Sequence, residues 1–186
     1  LQKAYRSNER QLEIINDILH VTRLDSGRIA LKKQRIELNQ IIRSIIDEQR
    51  STLAERRQKI SFRTSAKKIY IMADEQYLSM ALDNIVNNAS KYSRPGQRIA
   101  VRVYQHRDSV SIHVVDHGVG IHADDLHKLF KKFSRIHNDL SVEAGGSGIG
   151  LYLCKEIIRL HDGTIDVETA PERGSSFVIN LPRDQA

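Results

Sequence analysis

The chain has 186 residues, 40% of them hydrophobic and 5% aromatic, with 29 Lys and Arg against 23 Asp and Glu for a net charge of +6. That is apolar enough for one packed domain with an appendage, which excludes disorder throughout. The basic residues are scattered among acids and stacking platforms are few, so no dedicated nucleic-acid surface is expected, only a general attraction for anions such as a phosphate-rich ligand.

The single Cys154 excludes an internal disulfide and any cysteine metal spacing, and reads as a free buried thiol in a reducing compartment. No apolar run approaches the roughly 20 residues of a membrane span, and the polar opening LQKAYRSNERQ is neither a signal nor a transit peptide. A cytoplasmic chain without direct membrane contact is expected. Because it opens on Leu1 rather than Met, it reads as a fragment whose parent could carry a membrane anchor upstream.

In chain order, Leu12, Ile15, Leu19 and Thr22, broadened by Ile14, Ile18 and Val21, recur at helical spacing and predict a helix over residues 1–26 that stops at Gly27. Its wide apolar stripe asks for a partner helix from outside the chain or from a second copy, the alternative being packing on its own domain. Residues 1–27 are thus set apart from a domain over 28–186. A short strand over 35–38 leads to a helix over 39–57 carrying Ile41, Ile42, Ile45, Ile46 and Leu53. Strands over 59–64 and 68–73 follow. Asp74 then caps a helix that buries Leu78, Ala81, Leu82, Ile85, Val86 and Ala89 and ends before Pro95-Gly96. Alternation over 98–106 and 109–116 predicts a hairpin turning at Arg107-Asp108. A loop-rich stretch over 117–146, a helix over 147–160 and strands over 164–169 and 176–181 complete the chain. The predicted class is α/β, in the α+β sense: a two-layer sandwich with helices on one face of a mixed, mostly antiparallel sheet, preceded by one N-terminal helix.

Three segments carry chemistry. On the capped helix, Asn84 and Asn88 stand at i and i+4, and Lys91 and Tyr92 follow on neighbouring positions. A carboxamide oxygen suits Mg²⁺, which also takes phosphate oxygens, and a Lys beside it supplies charge for those phosphates. A solvated helix face is the bland alternative. Next, a strand ends at Asp116, and Asp116-His117-Gly118-Val119-Gly120 lets a flat ligand approach a turn whose carboxylate accepts from an exocyclic amine. Last, Gly145-Gly146-Ser147-Gly148-Ile149-Gly150-Leu151 opens directly into a helix, where unpaired amides and the helix dipole favour an anion. No strand precedes it inside a βαβ unit, which disfavours a dinucleotide fold, and no Lys-Ser/Thr pair follows, which excludes a Walker loop.

In this order the segments resemble the boxes of sensor histidine kinases of two-component systems, whose catalytic domain is of the GHKL or Bergerat type. Asn84-Ile-Val-Asn-Asn88-Ala-Ser-Lys91-Tyr92 is similar to their N box, Asp116-x-Gly118-x-Gly120 to G1, Phe130-Lys-Lys-Phe133-Ser-Arg135 to the F box and Gly146-Ser147-Gly148-Ile149-Gly150-Leu151 to G2. Gly174-Ser175-Ser176-Phe177 resembles the closing glycine motif. Residues 14–29 look like the end of the second helix of the dimerisation and phosphoacceptor hairpin. The resemblance implies a domain that binds ATP and Mg²⁺ and transfers the γ-phosphate to a histidine for relay to a response regulator, in a parent that forms a homodimer. It makes Asn88 the Mg²⁺ ligand, with Asn84 near the same metal and phosphates, and puts Lys91 and Tyr92 at the phosphates and ribose. Asp116 would take the adenine amino group, with Gly118, Gly120 and Ile121 around the base. Phe130 and Phe133 would anchor a lid over 117–146, or be plain core. Arg135 would reach the γ-phosphate, and Gly146, Ser147, Gly148, Ile149, Gly150, Leu151 and Ser175 would complete the nucleotide site.

The same fold serves chaperone, topoisomerase and mismatch-repair ATPases, which the resemblance gives a Glu as general base where this chain has Asn84. An amide is no proton acceptor at neutral pH, and the adjacent Asp83 is expected about 100° away around the helix. Transfer to another nucleophile is therefore favoured over hydrolysis, with a nucleotide-independent interaction module as the third alternative. The family's phosphoacceptor His is followed by an acid, Arg and Pro, a sequence absent here. His20 and His161 read as packing or capping residues, and the chain alone is expected not to phosphorylate itself. His161-Asp162-Gly163 departs from the family's usual His-Gly-Gly, and Ser147 stands where Thr is frequent.

Overall fold

A computed structural model describes residues 2–136 and 147–184. Five strands, β2 (Lys59–Thr64), β4 (Arg98–Gln105), β5 (Ser109–Val115), β7 (Gly174–Pro182) and β6 (Thr164–Ala170), form one sheet in that spatial order. Only β2 and β4 run parallel, and the other neighbours are antiparallel. Alternation decides the buried face: Ile99, Val101 and Val103 of β4, Val110, Ile112 and Val114 of β5, and Phe177, Ile179 and Leu181 of β7 point into the core, while Arg98, Arg102 and Tyr104 are exposed. Helices α2 (Leu38–Glu55), α3 (Glu75–Lys91) and α4 (Gly150–Leu160) cover that face, giving the expected two-layer sandwich.

The expected strand over 68–73 is shorter and lies elsewhere. As β3 (Tyr70–Ala73) it pairs only with β1 (Gln34–Glu37), in a separate two-stranded antiparallel sheet. Leu38 N–H donates to the Ile69 carbonyl (2.9 Å), and Glu37 caps α2 by accepting from Asn39 N–H (3.0 Å), so the chain turns straight from ribbon into helix. Asp74 caps α3 as expected, accepting from Tyr77 N–H (3.2 Å). The α3 exposure pattern is a clean helical repeat in which Ala81, Leu82, Ile85, Val86, Ala89 and Ser90 are buried and Asp83, Asn84, Asn87 and Asn88 are half-buried.

The first helix, α1 (Gln2–Asp25), ends before Gly27 as predicted. Its C-terminal half packs on the domain: Val21 is buried, Leu24 touches the core, and His20 lies edge-on to Tyr77 with ring centroids 6.2 Å apart. Leu12, Ile15, Ile18 and Leu19 remain about half exposed, so packing on its own domain accounts for only part of the stripe. No described helix is long and apolar enough to cross a membrane.

Two packing roles inferred from sequence hold. Cys154 is buried, with its thiol on the Ala81 carbonyl (3.3 Å), and burial pushes its pKa up, out of the reactive range. His161, also buried, accepts the Asp74 N–H at Nε2 (3.0 Å) and therefore donates from Nδ1 to the Ile157 carbonyl (2.8 Å). It stitches the end of α4 to the start of α3. Asp162 after it has φ +59°, the left-handed conformation that favours glycine, and the Lys33 ammonium holds its carboxylate at 2.6 Å.

Burial lowers the His161 pKa below that of a free histidine. The folded state therefore binds this proton less readily than the unfolded chain. Stability is complete above the unfolded histidine value of about 6.5 and falls as pH drops towards the lower folded pKa. Thermal melts at pH 7.5 and 5.5 are expected to show a loss on acidification in the wild type, and a smaller loss in His161→Gln, which keeps an acceptor for Asp74 without titrating.

Candidate functional site

Between the half-buried side of α3 and the two glycine turns lies a cavity of about 690 Å³, within the range that small-molecule ligands occupy. Its floor is α3, from Met80 through Asn84 and Asn88 to Lys91 and Tyr92. One wall is the turn after β5, with Asp116, Val119, Gly120 and Ile121; another is Ser147, Gly148, Gly150 and Leu151, leading into α4.

The turn after β5 is pinned by its own carboxylate. Asp116, 4% exposed, accepts from the Gly118 amide (2.8 Å) and the Ser175 amide (3.2 Å), both at Oδ1. Among the described residues Oδ2 accepts nothing, and the side chain borders the cavity. Burial raises this carboxyl's pKa, and the two amides hold it back. Val119 N–H donates to the Tyr92 carbonyl (3.2 Å), locking the turn onto the end of α3. A Cβ on Gly118 would stand 2.0 Å from that same carbonyl oxygen, so only glycine fits.

On the floor, Asn88 Nδ2 donates to Asn84 Oδ1 (2.9 Å). That bond uses one amide hydrogen of Asn88 and leaves its own carbonyl oxygen for a ligand. A Cβ on Gly150 would lie 2.4 Å from the Asn84 amide, so the start of α4 abuts the asparagine pair. The helix begins three residues later than predicted. Gly148 has φ +70°, and Ile149 N–H turns back onto Ser147 Oγ (3.2 Å) before the first helical turn forms. No side chain caps the α4 N-terminus, so its amides keep their anion-binding capacity. Burial raises the Tyr92 hydroxyl pKa against the pull of Arg135.

Of the residues expected at this site, Asn84, Asn88, Lys91, Tyr92, Asp116, Gly120, Ile121, Arg135, Ser147, Gly148, Gly150, Leu151 and Ser175 border one cavity. Gly118 stands behind the wall at the Tyr92 carbonyl. Ile149 is 1% exposed and belongs to the core. The phenylalanine pair divides: Phe130 packs on the core, whereas Phe133 is 66% exposed with φ +58° and lies outside the cavity wall. Gly146 falls outside the described residues, as does the end of the expected lid, whose first part forms a 3₁₀ turn over Ala123–Lys128.

Sequence reasoning missed two walls. Asp17 and Ile14 of α1 reach the cavity, and Ser147 Oγ donates to Asp17 Oδ2 (2.7 Å). Gln49 and Thr52 of α2 and its C-cap residue Arg56 also line it. Asp83 also borders the cavity, held by Gln49 Nε2 (2.7 Å). A polar continuation of the α2 apolar stripe was the available signal.

Residues 73–185 match the family described as histidine kinase-, DNA gyrase B-, and HSP90-like ATPase, and the chain belongs to it. Its similarity runs to the sensor-kinase branch, as the boxes implied. The sensor protein kinase WalK of Staphylococcus aureus is 30% identical over 184 residues, 98% of this chain and 44% of that protein. The circadian input-output histidine kinase CikA of Synechococcus elongatus is 28% identical over 98% of this chain and 24% of its own length. The chain thus spans less than half the length of these relatives. Full-length ShkA in complex with AMPPNP superposes with a TM-score of 0.85 at 23% identity, over 100% of this chain and 39% of that one. The histidine kinase ThkA in complex with the response regulator TrrA gives 0.76 at 21% identity, over 97% and 49%. Both show the same fold.

Gly118→Ala is expected to destabilise the fold by at least about 2 kcal/mol, because the new methyl group meets a main-chain oxygen that cannot step aside. Denaturant unfolding measures this directly.

Proposed function

We propose that the chain binds Mg-ATP and serves as the catalytic part of a sensor histidine kinase, donating the γ-phosphoryl group to a histidine outside these residues, from which a response regulator aspartate receives it. The observation that carries the reading is the buried Asp116 carboxylate at the cavity wall, with one oxygen satisfied by two amides and the other accepting nothing among the described residues. Leaving such an oxygen unpaired costs free energy that a ligand N–H recovers. The adenine exocyclic amine is the donor proposed. The phosphates then run along α3 towards the α4 amides, past Lys91 and Tyr92, with Arg135 near the terminal phosphate.

Among the described residues no group of three His, Cys, Asp or Glu is placed to hold a metal. The carbonyl oxygen of Asn88, which Asn84 orients, would be the protein ligand of the cation. This suits Mg²⁺, which keeps several waters and is commonly held through substrate phosphates. When bound, Mg²⁺ neutralises charge on the transferring phosphoryl group.

Transfer rather than hydrolysis follows from what the cavity carboxylates already do. Asp17 accepts from Ser147, Asp83 from Gln49 and Asp116 from two amides, and the position one turn before Asn88 is Asn84. The amide at that position takes no proton from water, and the Asp116 oxygen without a donor is the one assigned to the adenine amine. The accepting histidine belongs to the hairpin whose last helix α1 resembles, and α1's exposed apolar stripe suits pairing in a homodimeric parent. An ATP-using domain of this kind works in the cytoplasm.

Three outcomes are expected. Calorimetric titration with Mg-AMPPNP gives saturable binding that Asp116→Ala weakens at least about tenfold, as the loss of a hydrogen bond to a charged group should; Asn88→Ala removes the Mg²⁺ dependence while leaving the adenosine contribution. Adenosine binding weakens as pH falls through the Asp116 pKa, which burial raises from that of a free aspartate, because the protonated acid loses an acceptor. Incubation with labelled ATP leaves no acid-labile phosphate on the chain alone; added phosphoacceptor hairpin becomes labelled, and self-labelling would contradict the assignment.

A further inference from the structure

Helix α2 and its C-cap residue Arg56 carry a stripe spaced 4-3-4-3-4: Leu38, Ile42, Ile45, Gln49, Thr52 and Arg56. Its first three members are at most 4% exposed in the core, and its last three are half-buried and border the cavity. A helical face that turns inward yet changes from aliphatic to polar after two turns is not solvated surface, since each polar residue continues the line of a core residue. It faces a polar occupant of the cavity. This wall lies outside residues 73–185, the part of the chain that matches the family.

Arg56 is the charged member. Its Nη1 donates to Ser90 Oγ (3.0 Å), and Ser90 in turn donates to the buried Gln58 (2.6 Å). The guanidinium is thereby held against the turn of α3 that presents Asn88 and Lys91. Only one of its five N–H donors is used there. Among the described residues Arg56 forms no ion pair, although Asp83 lines the same side and is taken by Gln49. A half-buried guanidinium with unused donors, lining the same cavity as Lys91, is an arrangement that recognises phosphate, through paired N–H···O bonds.

We infer that Arg56 is a phosphate-contacting residue of this site, supplied by α2, and that Ser90 orients it. The inference rests on the reading of the cavity as a nucleotide site. Arg56 adds a cation to the cavity that Lys91 lines and offsets the negative charge of Asp83, which would otherwise repel the nucleotide phosphates. Its role differs from that of Asp116, because it discriminates by phosphate content and not by base.

The test is a ladder of three ligands, adenosine, ADP and AMPPNP with Mg²⁺, titrated calorimetrically into the wild-type chain, Arg56→Gln and Arg56→Lys, with a thermal melt of each. Arg56→Gln is expected to weaken ADP and AMPPNP about tenfold, the loss typical of a charge-assisted hydrogen bond, and to leave adenosine unchanged. Arg56→Lys, which keeps the charge and the stem, should lose only about threefold. A loss confined to AMPPNP would place the contact at the terminal phosphate. An equal loss across all three ligands would assign Arg56 to the packing of α3 through Ser90 and overturn the inference, as would unchanged affinity for the phosphorylated ligands. Failure of the wild type to bind even adenosine would overturn the cavity reading itself, and this inference with it, and is distinguished by its appearance before any substitution.

Discussion

The main-chain carbonyl of Tyr92 accepts the Val119 amide at 3.2 Å and leaves no room for a Cβ on Gly118. This contact joins the last turn of α3 to the turn that follows β5, and with it the polar stripe of one element to the buried carboxylate of another. Asn88 and Lys91 are fixed by the helix; Asp116 is fixed by its amides. Only the distance between the two sets remains to be decided, and the carbonyl decides it. Gln58 holds the same helix end from the other side, donating to the Ser90 and Ser93 carbonyls at 3.0 and 2.9 Å. Preorganisation here is thus a main-chain property, with side chains supplying chemistry on a frame already set.

Much of that frame was legible in the sequence. Alternation on β4 and β5, the Asp74 cap and the apolar repeats of α2 and α3 are local signals whose local solution is also the tertiary one, so each element formed within two or three residues of its predicted limits. The separate β1–β3 ribbon was not legible, because a short apolar run states that a strand exists and not which strand it joins. The start of α4 was misplaced for a related reason: Ser147 and Gly148 resemble helix-opening residues, but the serine hydroxyl bonds the Ile149 amide and holds the chain in a turn first.

The candidate site was legible where glycine and amide residues cluster in sequence, and illegible where single residues arrive from distant helices. Asp17, Gln49 and Arg56 each sit on helices whose apolar repeats were read for packing alone. Phe133 shows the converse, since a motif member adjacent to the site in sequence points to solvent. Asn84 was expected beside the metal, and the geometry gives it a second task, orienting the Asn88 amide through a 2.9 Å hydrogen bond.

The cavity therefore joins many donors for an anion with an amide, Asn84, one turn before Asn88, where the resemblance puts a general base. In the proposed function, that combination holds a phosphoryl donor intact until another segment brings the nucleophile. The most direct measurement is an amide-resolved NMR titration of the chain with Mg-AMPPNP. Shifts concentrated at Asn84–Tyr92, Asp116–Ile121 and Gly148–Leu151 are predicted. Saturation without shifts at Asp116–Gly120, or shifts confined to the exposed sheet face around Arg102 and His113, would contradict the account.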